Sequence, residues 1–516
     1  MAGTAEDGTA GETSGEIAAE TSGPADPRGG PAGPGADAQR STVLPTNSPL
    51  LVWVGLGVGL FLLEAGAFFD FVVGLLADGA IAAPAPGPAQ VAAVKSAVTD
   101  ALVSIEQSVE SVPTLLSRET VPNGGYWTGQ GWEGTFLGLS PAVSWGIRVA
   151  LIYAYAFAWA GWAMLGYRLY RREIRTVAWS PRDDMIDRFR THSWGKFGLL
   201  VVFMFVVMAV FAPALGPTTV EENMRNSYSY EMQYYDTESD EVRTTLVGEA
   251  NLDSQSTGSS SRVMPFTYDD YGRYHPFGTL PTGRDLFTFI AAGSRISLII
   301  GVLSVGLSAF IAATLALTAA YYKGKVDLGS VLLSDAIMAM PQLLLLIMLS
   351  TVLADTWIGG IYSGAFILAL IFAGTGWTYM WRALRGPALQ VSERQWVDAA
   401  RSFGQKPRTV MRKHMLPYIT GYLLIYGSMR LGGAIIAIAG LSFLGLGVAP
   451  PTPEWGRAIN LGQDYVTTGS WHISLIPGIL ITLVVTGFNA LGDGIRDAID
   501  PQSDSESAAA GRGGGA

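Results

Sequence analysis

The amino-acid sequence predicts an all-α integral membrane protein with about eight transmembrane helices, and three observations lead there. Of 516 residues, 49% are hydrophobic and only 15% charged, where an ordinary soluble domain carries about a quarter charged. Mean hydropathy is positive, +0.30. Eight apolar runs approach the roughly 20 residues that a helix needs to cross a ~30 Å hydrocarbon layer. Backbone N–H and C=O groups in lipid must bond within their own segment, so runs this long are helices rather than strands.

Residues 1–48, rich in Gly, Ala, Pro, Ser, Thr and acid, hold too little apolar surface to offset chain entropy and are expected to be a disordered acidic tail. The spans follow near 49–69, 147–167, 197–215, 297–320, 330–354, 361–381, 420–446 and 474–494, and a second low-complexity tail covers 502–516. No basic stretch precedes a short apolar core at the N-terminus, so the first span reads as an anchor and not a signal peptide. Segment 89–111, between the first two spans, has helical apolar spacing and is expected to form a small cap helix.

Lys and Arg set the orientation, because cytoplasmic loops hold their excess. Segments 168–196 and 382–413 carry eight basic residues each, whereas 78–140 has Lys95 and Arg118, 355–360 has none and 447–473 has Arg457. The long 216–285 connection has five basic against twelve acidic residues. A multi-pass protein of the cell membrane with both termini cytoplasmic follows, its first two spans (49–167) carrying an extracellular segment 78–140 and joined by a basic linker, 168–196, to a 197–501 core.

Several functions are excluded. With no cysteine there is no disulfide framework and no thiolate site. A net charge of −10, with six lysines against 27 arginines, leaves no basic face for nucleic acid. Such an acidic, lysine-poor surface suits a high-salt cytoplasm. Gly195-Lys196-Phe197 and Gly324-Lys325-Val326 lack the rest of a phosphate-binding loop, so the chain has no ATPase site of its own. His192, His275, His414 and His472 are too dispersed for a metal centre, and there is no catalytic motif.

Ionisable residues inside spans are functional candidates by default. Glu64 and Asp70 lie in or near the first span, Arg148 opens the second and Arg295 precedes the fourth. The two arginines are expected to snorkel to an interface. Asp335 in the fifth span and Arg430 in the seventh either pair with other helices or line a watery path. An ion-coupled carrier working without an ATPase would use Asp335 as a relay, and it stands as the alternative function.

The most informative stretch is the polar, basic loop 384–418 between two apolar spans. Asp398-Ala399-Ala400 favours a tight helical surface, Gly404 takes positive φ and ends it, Lys406-Pro407 starts a second helix, and Leu416-Pro417 marks return to the membrane. A compact basic knob results, suited to a soluble partner.

At these residues the sequence resembles the EAA loop of ABC-importer permeases: Asp398-Ala399-Ala400, three residues, Gly404, nine residues, then His414-Met415-Leu416-Pro417, with Asp for Glu and His414 for an aliphatic residue. Segment 275–298 (HPFGTLPTGRDLFTFIAAGSRISL), Asp335 to Pro341 (DAIMAMP), 441–456 (LSFLGLGVAPPTPEWG) and 488–501 (FNALGDGIRDAIDP) are similar to the dipeptide, oligopeptide and nickel branch, second permease subunit type. FAPALGP, 211–217, resembles the end of its first core span.

The resemblance covers roughly 197–501 and implies a six-helix type I permease core to which two N-terminal helices have been added. It implies a homologous second permease, two ABC ATPase subunits that hold ATP and magnesium, and an extracellular substrate-binding protein, with no cofactor on this chain. It makes Asp398, Ala399, Ala400, Arg401, Gly404, Lys406, Leu416 and Pro417 the coupling contacts to an ATPase. The substrate is not distinguished among dipeptides, oligopeptides, nickel complexes and sugar oligomers.

Overall fold

The computed structural model describes residues 49–65, 101, 116–175, 181–259, 262–357, 359 and 361–499. The predicted tails 1–48 and 502–516, Asp70, and the 89–111 helix apart from Ala101 lie outside these residues.

The N-terminal part contributes α1 (Pro49–Leu63) and α2 (Pro141–Leu169), the latter widening into a π turn at Tyr170–Ile174. The two helices meet through a pair of stacked indoles, Trp53 and Trp162, with centroids 4.4 Å apart. Each indole N–H donates to the other's backbone carbonyl, at 2.9 and 2.8 Å. Gly57 lies under Trp162 and Gly166 under Trp53, where a Cβ would come within 2.6 Å of either ring; the stack therefore needs glycine on both helices.

After α3 (Pro181–Thr191) comes the first core span, α4 (Ser193–Val210), followed by a one-turn helix, Ala212–Leu215. Then comes a lobe over 216–285 holding the hairpin β3 (Glu231–Asp236) and β4 (Glu241–Leu246), helix α5 (Val247–Asp253) and the short pair β5 (Thr267–Tyr268) and β6 (Tyr274–His275). An earlier short pair, β1 (Tyr126–Trp127) and β2 (Trp132–Glu133), precedes α2. All three pairs are antiparallel, and β3–β4 runs in register from Glu231↔Leu246 to Asp236↔Glu241.

The rest of the core is α6 (Leu286–Tyr322), α7 (Gly324–Met338), α8 (Gln342–Ala354), α9 (Ala365–Ser392), α10 (Gln395–Ser402), α11 (Pro407–Val410), α12 (Leu416–Phe443), α13 (Trp455–Gly462) and α14 (His472–Ile499). Helix α4 crosses α14 at a seam of small residues. A Cβ on Gly198 would lie 2.3 Å from the Leu491 amide nitrogen, and one on Gly494 2.6 Å from the Gly195 Cα. Two apolar clusters sit at opposite ends of α6. One gathers Phe205, Leu286, Phe289, Ile290, Trp455 and Phe488 beside the lobe; the other joins Ala316, Ala320, Trp381, Leu384 and Val391 to the 395–417 knob.

The all-α membrane fold stands, while the number of eight spans is not confirmed. Among the described residues five helices are long and apolar enough to cross a membrane, or six if the bent pair α7–α8 counts as one. Helix α1 has only 15 residues as described. Helix α9 has 28, diluted by Gly374, Thr375, Gly376, Thr378, Arg382 and Arg385. The expected continuous span 330–354 breaks by 82° between α7 and α8, because Pro341 has no N–H to give and its ring disfavours a helical residue before it. Arg148 does not snorkel. It is fully buried and donates to the Val121 carbonyl at 3.0 Å, Asn123 Oδ1 at 2.7 Å and the Gly216 carbonyl at 2.9 Å. These three bonds offset much of the cost of burying a guanidinium, while its Nε has no partner among the described residues.

Candidate functional site

The knob is built from its apolar underside. On α10, Val397 and Ala400 point inward, and with Val410, Met415 and Ile419 they close the cluster against α6 and α9. Each fully buried valine or methionine there contributes about 1.5–3 kcal/mol. The opposite face of the same helix is left in solvent: Trp396, Asp398 and Ala399 are exposed. Helix α10 ends in a Schellman turn. Gly404 has φ +71, its N–H donates to the Arg401 carbonyl at 2.9 Å, and the Gln405 N–H donates to the Ala400 carbonyl at 3.2 Å. That turn thrusts Phe403 outward, 85% exposed.

Lys406 stands at the N-terminal cap of α11 with Pro407 in the first turn, and it makes no ion pair among the described residues. A π turn over Met411–Met415 then leads into α12. In it the Leu416 N–H bonds five residues back, to the Met411 carbonyl, and this widening makes room for the Pro417 ring at the start of α12. Leu416 is half-buried against the cluster and Pro417 exposed. His414 Nε2 lies 3.0 Å from Gln405 Oε1, tying the two arms of the knob.

Arg401 is turned back onto the protein. Its guanidinium lies over the Tyr321 ring at 4.4 Å and its Nη1 is 3.7 Å from Asp398 Oδ1. The residue types foretold a basic surface, but the Tyr321 seat at the end of α6 had no signal in the loop itself. Lys323, at φ 52 in the next turn, pairs with Glu393 at 3.2 Å and ties the end of α6 to the end of α9.

The two intramembrane candidates separate. Asp335 on α7 pairs with Arg382 on α9, one turn from the Asp327–Arg385 pair, whose bonds are 2.7 and 2.5 Å. Arg382 and Arg385 were the missed partners; their spacing of three places both on one helical face. Arg430 on α12 lies over the Tyr379 ring at 5.0 Å and lines a cavity of about 350 Å³ with Ser304, Ser308, Gln342 and Phe372. The structure does not bring Asp335 and Arg430 into a common ion pair.

At the other end of α6 is a buried charge network that sequence reasoning did not assemble. Asp285 caps α6, accepting from the Thr288 N–H and hydroxyl, both at 2.7 Å. His275 bridges Asp285 Oδ2 at 2.9 Å and Asp269 Oδ2 at 3.3 Å, and Arg273 holds Asp269 from 2.7 Å. Burial acts to lower His275, but its two carboxylate partners outweigh that and raise it. Burial acts to raise Asp269, yet Arg273 and His275 hold it well below the usual carboxylate range. Glu454, fully buried before α13, takes the Arg457 N–H on Oε2 and has no hydrogen-bond partner for Oε1. Burial raises its carboxyl to about 7.

A helical membrane bundle carries a polar lobe at one end of α6 and an apolar-seated knob at the other. The family described as binding-protein-dependent transport system inner membrane component matches residues 286–504, and the N-terminal TM domain of oligopeptide transport permease C matches 180–236. The glutathione transport system permease protein GsiD of Escherichia coli O1:K1 / APEC is 32% identical over 330 residues, which span 64% of this chain and 92% of that protein. GsiD of Pectobacterium atrosepticum is 35% identical over 250 residues, 46% of this chain and 80% of the relative. The dipeptide transport system permease protein DppC of Alkalihalophilus pseudofirmus is 29% identical over 330 residues, 64% and 93%. The chain belongs to the binding-protein-dependent transport system inner membrane component family, the permeases of ABC importers.

Proposed function

We propose that this chain and a homologous permease form the pathway of an ATP-driven importer for peptides or similar small solutes, delivered by an extracellular binding protein. The knob faces the cytoplasm, as do both termini, and docks on one of two ATPase subunits; ATP and magnesium bind there and not on this chain. The single observation that carries this reading is the two-sided construction of α10. Its inner face is welded to α6 and α9 through Val397 and Ala400, while Trp396, Asp398, Ala399 and Phe403 are left for another surface. Movement of a partner against that outer face is passed to two core helices at once, and differential binding of the ATP-bound and ATP-free ATPase biases the bundle between two states. Lys406 and Arg408 add exposed positive charge beside it. The relatives' printed substrates, glutathione and dipeptides, support a peptide-like cargo.

The ion-coupled carrier is the weaker reading, since Asp335 is engaged by Arg382 and, among the described residues, pairs with no second acid. The test is Gly404→Val. A β-branched residue at φ +71 is strained by about 1–3 kcal/mol, although open space surrounds it. We expect normal membrane insertion, with substrate uptake reduced at least about ten-fold and no longer matched to ATP hydrolysis. Uptake at the wild-type rate would remove the knob from the coupling path.

A further inference from the structure

A pocket of about 640 Å³ lies where the N-terminal part meets the lobe, walled by Arg118 and Tyr126 from the former and by Glu222, Glu231 and Tyr274 from the latter. This is within the 300–1,000 Å³ that suits a small organic ligand. The walls are held firmly. Arg118 Nη2 donates to the Gly216 carbonyl at 2.8 Å and to the Thr218 carbonyl, Asn123 Nδ2 to the Pro217 carbonyl at 3.0 Å and Trp145 Nε1 to the Leu215 carbonyl at 2.8 Å. Arg273, also on the rim, is spent on Asp269, Asn251 and Ser254.

Arg118 is only partly spent: Nη2 is taken by the Gly216 and Thr218 carbonyls, and Nη1 makes no hydrogen bond among the described residues. Its Nε is buried without a hydrogen-bond partner, as are Arg148 Nε and Arg401 Nε, so the guanidinium can offer a pocket ligand Nη1. Burial lowers this guanidinium to about 10, with Glu222 and Asp285 acting in the opposite sense. Glu222 uses Oε2 to hold the Thr219 N–H at 3.2 Å. Among the described residues neither Glu222 nor Glu231 forms an ion pair with Arg118. One pocket thus presents a guanidinium and two carboxylates, contributed by different segments and not in direct ion pairs with one another, with Tyr126 and Tyr274 also on its wall.

We propose that this pocket binds a short zwitterionic peptide, its α-carboxylate on Arg118 and its α-ammonium on Glu222 and Glu231. Arg118 Nη1 can donate to a carboxylate oxygen, an ammonium fits carboxylate oxygens, and the tyrosines are apolar wall for an uncharged backbone. The choice of a peptide over another zwitterion rests on the transport reading above; the paired charges do not.

The test is calorimetric titration of the purified full-length chain, without ATPase or binding protein, using trialanine, N-acetyl-trialanine and trialanine amide. We expect saturable binding of trialanine, weakened at least about ten-fold by blocking either end. Glu222→Gln should weaken trialanine binding while leaving the weak binding of the acetylated peptide unchanged. Arg118→Lys should weaken trialanine and not the amide, and unchanged thermal unfolding certifies that it folds. Absence of binding, or equal binding of all three peptides, overturns the proposal. Because no transport is measured, that failure is separate from failure of the importer reading, which uptake by Gly404→Val decides.

Discussion

The knob at one end of α6 and the lobe at the other are built on opposite plans. The knob buries hydrocarbon and leaves its charges in water: Asp398 has a 63% exposed side chain, and Val397 and Val410 none. The lobe buries its charges and matches them internally, with Asp269, His275 and Asp285 each nearly inaccessible. The knob's polar groups are left in solvent, whereas the lobe closes its own on one another. Stability should therefore be concentrated in the lobe's internal charge network, and the knob's outer face should tolerate substitution without unfolding.

The largest effect expected on this contrast is Asp285→Ala. It strips the α6 cap, leaves the Thr288 N–H bare and takes one carboxylate from His275, for a loss of about 3–5 kcal/mol read as a drop in the thermal midpoint and faster proteolysis within 216–285. The wild-type network also sets a pH dependence. His275 is raised on folding, so its contribution is complete below its unfolded value of about 6.5 and is lost as pH rises through the folded one. Asp269 is lowered, so its contribution is present above about 4 and lost only in strong acid. The lobe should unfold more readily at pH 9 than at pH 6; a flat profile would show that the bridge is not ionic.

Next in size is Glu454→Gln. With the carboxyl raised to about 7, ionising it works against the fold, so wild-type stability declines as pH climbs from about 4.5 through 7. The amide should stabilise by roughly 3 kcal/mol at pH 8 and by nothing below pH 4.5, which paired thermal melts would read. Gly404→Ala should cost about 1–2 kcal/mol, confined to faster amide exchange over 395–410 with the lobe unchanged. Spread of that change into 216–285 would break the contrast. Smallest is Asp398→Asn, within about 0.5 kcal/mol for stability, with any loss appearing only in uptake.

Much of this was legible in the residues, for reasons that can be named. Helices α2, α4, α6, α12 and α14 announce themselves by apolar length, and the Gly404 turn by its spacing from Ala400. The break at Pro341 was readable in kind but the run of leucines beyond it argued for continuity. The β3–β4 hairpin escaped because Glu231, Asp236, Glu241 and Arg243 hide its alternation. Arg148 was assigned to an interface by its position at a helix start, since nothing local foretold that Val121, Asn123 and Gly216 would converge on it. Long-range polar matching of this kind, like the Arg382 and Tyr321 contacts, is set by tertiary packing and leaves no period in the sequence.

Helix α6 runs unbroken for 37 residues, from the Asp285 cap to the tyrosine beneath Arg401, which at 1.5 Å per residue makes a strut of about 55 Å. One hydrogen-bonded rod thus spans the distance between the lobe and the knob, and each end of it is anchored by a charged side chain, Asp285 at one and Arg401 at the other.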